Sequence, residues 1–167
     1  MSFVIGISQG TQPVIGFNYG AKKYRRVSNT YLLALSAASV LSVIAFICFQ
    51  FFPRQIISAF GNGSELYFQF SERYFRIYMF LTIINGIQPV TSNFFNSIGK
   101  SRLGVFMSLT RQILFLLPLI ILLPYIMGID GIMYAGPCAD LAAALLSIYL
   151  VVKEVNILKQ KESIRAQ

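Results

Sequence analysis

Polar side chains recur between Tyr78 and Asn96, in a stretch that is otherwise apolar. On a helix of about 3.6 residues per turn, Tyr78, Asn85, Gln88, Ser92 and Asn96 fall within roughly 80° of one another, with Thr82 at the edge. Such a stripe offers hydrogen-bond donors and acceptors together and carries no charge of its own. Hydrocarbon cannot satisfy an amide, so the stripe faces either other helices or a water-filled cavity. One amide would serve as interhelical glue, worth about 0.6 kcal/mol. A row of this length reads as the wall of a substrate pathway. Gln9 and Gln12, in the first apolar segment, extend the same chemistry and join the cavity candidates.

Two charges stand inside apolar runs. Arg111 either snorkels its head to the membrane interface or pairs with an anion or carboxylate within the bundle. Asp140, three residues after Pro137, either sits on the positive end of a helix segment or acts as an ion-coupling carboxylate. Four residues are candidates for helix bending or gating: Pro13, Gly16, Pro89 and Pro118. Gly10-Thr-Gln-Pro-Val14 returns as Gly86-Ile-Gln-Pro-Val90, which suggests two paired gating helices. Gly6, Gly10, Gly16 and Gly20 lie at spacings that let helix backbones approach closely.

Other chemistry is excluded. The chain has no histidine, so histidine metal sites and proton switches are unavailable. No phosphate loop, metal-ligand cluster or nucleophile with a base is present. No enzyme, cofactor or metal is expected. Cys48 and Cys138 read as small buried hydrophobes rather than a disulfide.

These residues must be positioned by membrane helices. Of 167 residues, 56% are hydrophobic and only 12% charged, too little polar surface for a soluble domain of this size. The fold class is all-α, a polytopic membrane helix bundle. Five spans are expected, at 2–21, 30–52, 76–98, 103–126 and 131–152, which make residues 1–152 a transmembrane bundle followed by a tail at 153–167. The loops after spans one, three and five, with the tail, hold Lys22, Lys23, Arg25, Arg26, Lys100 and Arg102, then Lys153, Lys159, Lys161 and Arg165. The opposite side holds Arg54, Arg73 and Arg76, set against Glu65, Glu72 and Asp130. This bias places the basic side and the C-terminus in the cytoplasm and Met1 outside. Topology, not nucleic-acid binding, explains the net charge of +8. A chain that starts within a span and lacks a cleavable signal reads as a piece of something longer.

"QGTQPVIGFNYGAKKYRRV" resembles the glycine-rich helix and basic loop of the multidrug and toxic compound extrusion (MATE) transporters. Phe94 to Pro124 and Gly128 to Leu145 are similar to the tenth-to-eleventh helix region and the last helix of that family, in family order. The resemblance implies helices eight through twelve of a twelve-helix fold built from two six-helix lobes. It also implies multi-pass residence in the cell membrane and export of organic cations in exchange for sodium ions or protons. The partners implied are the lipid bilayer, organic cation substrates, and the missing N-terminal lobe or a partner chain. The pattern departs at the coupling site. Some members use a carboxylate in this lobe, where span three here carries only Asn85, Gln88 and Asn96. Others use an aspartate in the first helix of the N-terminal lobe, which this chain lacks, so the coupling site is either missing with the absent part or reduced to Asp140. Two alternatives remain: a lipid-linked-sugar flippase of the same superfamily, and a truncated, non-transporting membrane protein that assembles with a partner.

Overall fold

The structure, a computed structural model, describes residues 2–61 and 63–166. Met1, Asn62 and Gln167 lie outside the described residues, as do the side chains of Ile129, Arg165 and Ala166; the expectations for Met1 and Arg165 fall there. The chain is helical nearly throughout: α1 (Ser2–Gly20), α2 (Tyr24–Phe51), α3 (Pro53–Phe60), α4 (Glu65–Tyr78), a 3-10 segment (Phe80–Ile84), and α5 (Ile87–Ser97). It continues through α6 (Ser101–Leu109), a π-helical segment (Thr110–Leu116), α7 (Leu117–Met127) and α8 (Ile129–Ala166). The all-α expectation is met. Among the described residues, three stretches are long and apolar enough to cross a bilayer: Tyr24–Phe51, Ser101–Met127 and Asp130–Ile164. Leu33, Ile113, Ile121 and Leu145 stand exposed on them, as a lipid-facing surface requires. Cys48 and Cys138 are exposed too, which corrects their expected burial; both are free thiols.

The core lies where α1, α2, α5 and α8 meet, around Ile15, Val27, Tyr31, Phe94, Phe95 and Leu158. The Tyr31 hydroxyl lies 3.0 Å from Thr91 Oγ1, and its ring centroid lies 4.8 Å from that of Phe94. Between lipid-immersed helices there is little hydrophobic gain, so close packing and hydrogen bonds of this kind hold the bundle.

Two basic turns have the same backbone design. Lys22 adopts φ 57° and Gly99 φ 80°. Lys23 N donates to Asn18 O at 2.9 Å and Lys100 N to Phe95 O at 2.9 Å, so each left-handed residue closes the preceding helix in a Schellman turn. The following helix starts at once, which makes α1–α2 and α5–α6 tight hairpins.

The expected third span is not one helix. α4 ends at Tyr78, Leu81 leaves helical geometry (φ −93°, ψ 15°), and α5 begins only at Ile87. Pro89 explains the restart. It lacks an N–H, so it fits the first turn of α5, where that donor would be idle, and not a helix interior. The paired-gate expectation changes accordingly: Pro13 lies inside an unbroken α1, whereas Pro89 opens a helix. Gly86 allows the broken stretch to press on α2, since a Cβ there would sit 3.0 Å from Ser42 Oγ.

α8 runs on past Val152. No glycine or proline follows Pro137, and Val155 and Leu158 pack into the core. The Glu162 carboxylate accepts from Tyr24 N at 3.1 Å, so the end of α8 caps the start of α2. Lys100 Nζ reaches Glu154 Oε2 at 2.5 Å, which ties the α5–α6 turn to the same helix. At the other end, Arg54 pairs with Glu65 in a two-pronged contact, Nη1–Oε1 3.2 Å and Nη2–Oε2 2.7 Å, on an exposed surface.

Candidate functional site

The polar stripe folds into two parts because its helix breaks. Gln88, Ser92 and Asn96 stay on one face of α5 and open on a polar cleft of about 280 Å³. Ser108, Arg111 and Gln112 form the opposite wall of that cleft. Tyr78 and Asn85 lie before the restart and instead line a second, mainly apolar cavity of about 500 Å³, with Thr82, Ser42 and Phe49. Arg111 borders both.

Hydrogen bonds fix α5 on two sides. Toward α6 and the residues after it, Gln88 Nε2 donates to Met107 O at 3.0 Å, and the Ser92 hydroxyl donates to Gly104 O at 2.8 Å while lying 2.9 Å from Ser108 Oγ. Gly104 permits this approach, because a Cβ there would stand 2.8 Å from Ser92 O. Toward α1, Gln12 Nε2 donates to Asn93 Oδ1 at 3.1 Å, Asn93 Nδ2 donates to Ser8 Oγ at 2.5 Å, and Ser8 Oγ donates to Pro89 O at 3.3 Å. Asn96 Oδ1 is buried against Gly104 and has no hydrogen-bond partner among the described residues.

Gln12 therefore joins the cleft's supporting network, and Gln9 does not. Gln9 lies on an exposed face of α1 with Gly6, Gly10 and Pro13. The close glycine approach is realised at Gly16, where a Cβ would lie 3.3 Å from Ser97 O; Gly6, Gly10 and Gly20 meet nothing within 4 Å. Sequence reasoning passed over Ser8, Asn93, Ser108 and Gln112. The last two had a readable signal: with Arg111 they sit at i, i+3 and i+4, one face of one span.

Arg111 has a carboxylate partner. Its Nε and Nη2 each lie 2.6 Å from Asp140 Oδ1. Asp140 is buried, and Arg111 keeps 30% of its side chain exposed toward the cavities. Asp140 is well inside α8, which runs continuously through Pro137, so the guanidinium and not a helix end compensates its charge. The backbone at Arg111 is π-helical, and Leu117 N bonds to Gln112 O, five residues back. Pro118 follows directly, and its ring cannot accept a regular turn against the carbonyl four residues earlier. Pro118 thus acts beside the widened turn that carries Arg111, and π-turns of this kind recur at functional sites.

A family model described as MatE matches residues 1–122. The chain belongs to the MATE family. MATE proteins are transporters, not enzymes. A protein of Shewanella oneidensis named "FAD transporter" is 25% identical over 147 residues, 88% of this chain and 32% of its own length. The solved structure of the MATE multidrug transporter DinF-BH in complex with R6G is 33% identical, covers 93% of this chain and 34% of its own, and superposes with a TM-score of 0.86. An outward-facing MATE structure at 17% identity gives a TM-score of 0.86 over 94% of this chain, and an inward-facing one at 16% gives 0.83 over 94%. These two show the fold. The chain spans about a third of the length of the relatives it matches.

Proposed function

We propose that this chain forms the cleft-bearing wall of the C-terminal lobe of an exporter, which moves small amphipathic molecules, organic cations among them, in exchange for sodium ions or protons. The observation that carries this reading is the polar cleft of Gln88, Ser92, Asn96 and Arg111 opening beside an apolar cavity. Together they offer a substrate one polar and one apolar contact surface within membrane-length helices. In this reading the five segments cross the cell membrane with the C-terminus in the cytoplasm, and a second lobe or partner chain supplies the facing wall. The fold matches outward- and inward-facing relatives almost equally, which supports movement of this lobe as a rigid unit. Any coupling ion that reached Asp140 would have to displace Arg111.

Arg111 also favours a second substrate class. Its Nη1 donates to nothing among the described residues, leaving N–H groups for a phosphate or carboxylate on the substrate. The relative named "FAD transporter" agrees with that class.

The test is transport by a full-length family member carrying this chain over the aligned third. Dye efflux from loaded cells should fall at least tenfold with Gln112→Ala plus Asn96→Ala at unchanged expression. Efflux equal to the parent chimera would remove the cleft from the pathway.

A further inference from the structure

At the basic end of the bundle, α2 and α8 enclose an open groove of about 700 Å³. Its α2 side is Arg25, Ser28, Asn29 and Leu32; its α8 side is Val155, Leu158, Lys159 and Glu162. Each set has the spacing i, i+3, i+4, i+7, a single helix face. Polarity changes along both faces in the same direction. Arg25 and Lys159 lie toward the helix ends, while Leu32 and Val155 lie deeper along the membrane-length stretches. Glu162 is engaged with Tyr24 N. Arg25 and Lys159 are exposed and form no ion pair among the described residues, and the Ser28 hydroxyl and Asn29 amide make no hydrogen bond there.

We propose that this groove binds an anionic phospholipid of the adjoining leaflet. The phosphate sits between Arg25 and Lys159, with Ser28 and Asn29 donating to it, and an acyl chain lies along Leu32 and Val155. Two cations with neutral donors match a phosphate diester, and basic pockets between helices at the cytoplasmic face hold such headgroups. The apolar inner half favours a lipid over a soluble anion, which would leave Leu32 uncovered. This site is separate from the cleft and independent of what the protein transports.

The purified chain in neutral detergent micelles is titrated with dioleoylphosphatidylglycerol, dioleoylphosphatidylcholine or inorganic phosphate, and thermal unfolding is followed. Phosphatidylglycerol should raise the midpoint by roughly 4 °C, and the other two should leave it unchanged. Arg25→Gln with Lys159→Gln should abolish the shift, whereas Arg26→Gln with Lys153→Gln, exposed basic residues outside the groove, should keep it. Lys159→Gln alone, at an exposed position, should halve the shift and serves if the double variant does not fold. Four outcomes overturn the site: an equal shift with phosphatidylcholine, an equal shift with phosphate, a shift that survives loss of Arg25 and Lys159, or no shift with any lipid because another segment fills the groove.

Discussion

Arg111 and Asp140 face each other across two helices, with both Nε and Nη2 of the arginine 2.6 Å from one carboxylate oxygen. Neither charge could stay so far inside an apolar bundle without the other. Removing one partner strands the remaining charge, while replacing both does not. Asp140→Asn should therefore cost about 3 kcal/mol. The pair Arg111→Met with Asp140→Leu should recover most of that loss. Unfolding midpoints of the two singles and the double form the cycle, and additive losses would contradict the pairing.

Gly104 and Gly10 make opposite predictions for the same substitution. A methyl at Gly104 meets Ser92 O at 2.8 Å and the Asn96 side chain, so Gly104→Ala should destabilise by about 1–3 kcal/mol. Gly10 meets nothing within 4 Å, and Gly10→Ala should stabilise α1 by roughly 0.5 kcal/mol. Thermal unfolding of the two variants side by side checks the contrast.

The Schellman turns allow a similar comparison. Gly99 sits at φ 80°, so Gly99→Ala should cost about 1 kcal/mol. Lys22 holds φ 57° with a side chain present, and Lys22→Gly should be neutral or stabilising at that turn. Denaturant midpoints distinguish the two.

The Tyr74 hydroxyl donates to Asp130 Oδ1 at 2.6 Å and links α4 to the start of α8. That bond, followed by desolvation, raises the Tyr74 pKa above its ordinary value. A raised pKa means stability that is complete below the unfolded value of about 10 and lost as pH rises through the folded value. The thermal unfolding midpoint should fall as pH rises above ~10, and Tyr74→Phe should lessen that fall.

Much of the fold was legible in residue pattern. Long, mainly apolar runs marked α2, the α6–α7 stretch and α8, because continuous apolar helices suit hydrocarbon. The break before α5 was less so: Pro89 and Gly86 were visible, but a mid-span proline also occurs in an unbroken helix, as Pro13 shows. The extension of α8 depended on tertiary packing of Val155 and Leu158. Half of the cleft was readable from the period of Gln88, Ser92 and Asn96. Its far wall lies in another helix, and the Arg111–Asp140 pairing spans 29 residues that no periodicity connects. Tyr78 and Asn85 were misaligned with the cleft because the stripe assumed one continuous helix.

The central claim is that the cleft between α5 and the Arg111 segment is a wetted surface within the membrane. It is tested most directly by thiol labelling. In a chain with Cys48→Ala and Cys138→Ala, a membrane-impermeant maleimide is offered to Gln112→Cys in the cleft and to Leu114→Cys on the exposed apolar surface. The account predicts that position 112 labels at least tenfold faster, since water and the charged reagent reach only the cleft. Equal, slow labelling at both positions would mean that the cleft is dry, and the pathway reading would be lost.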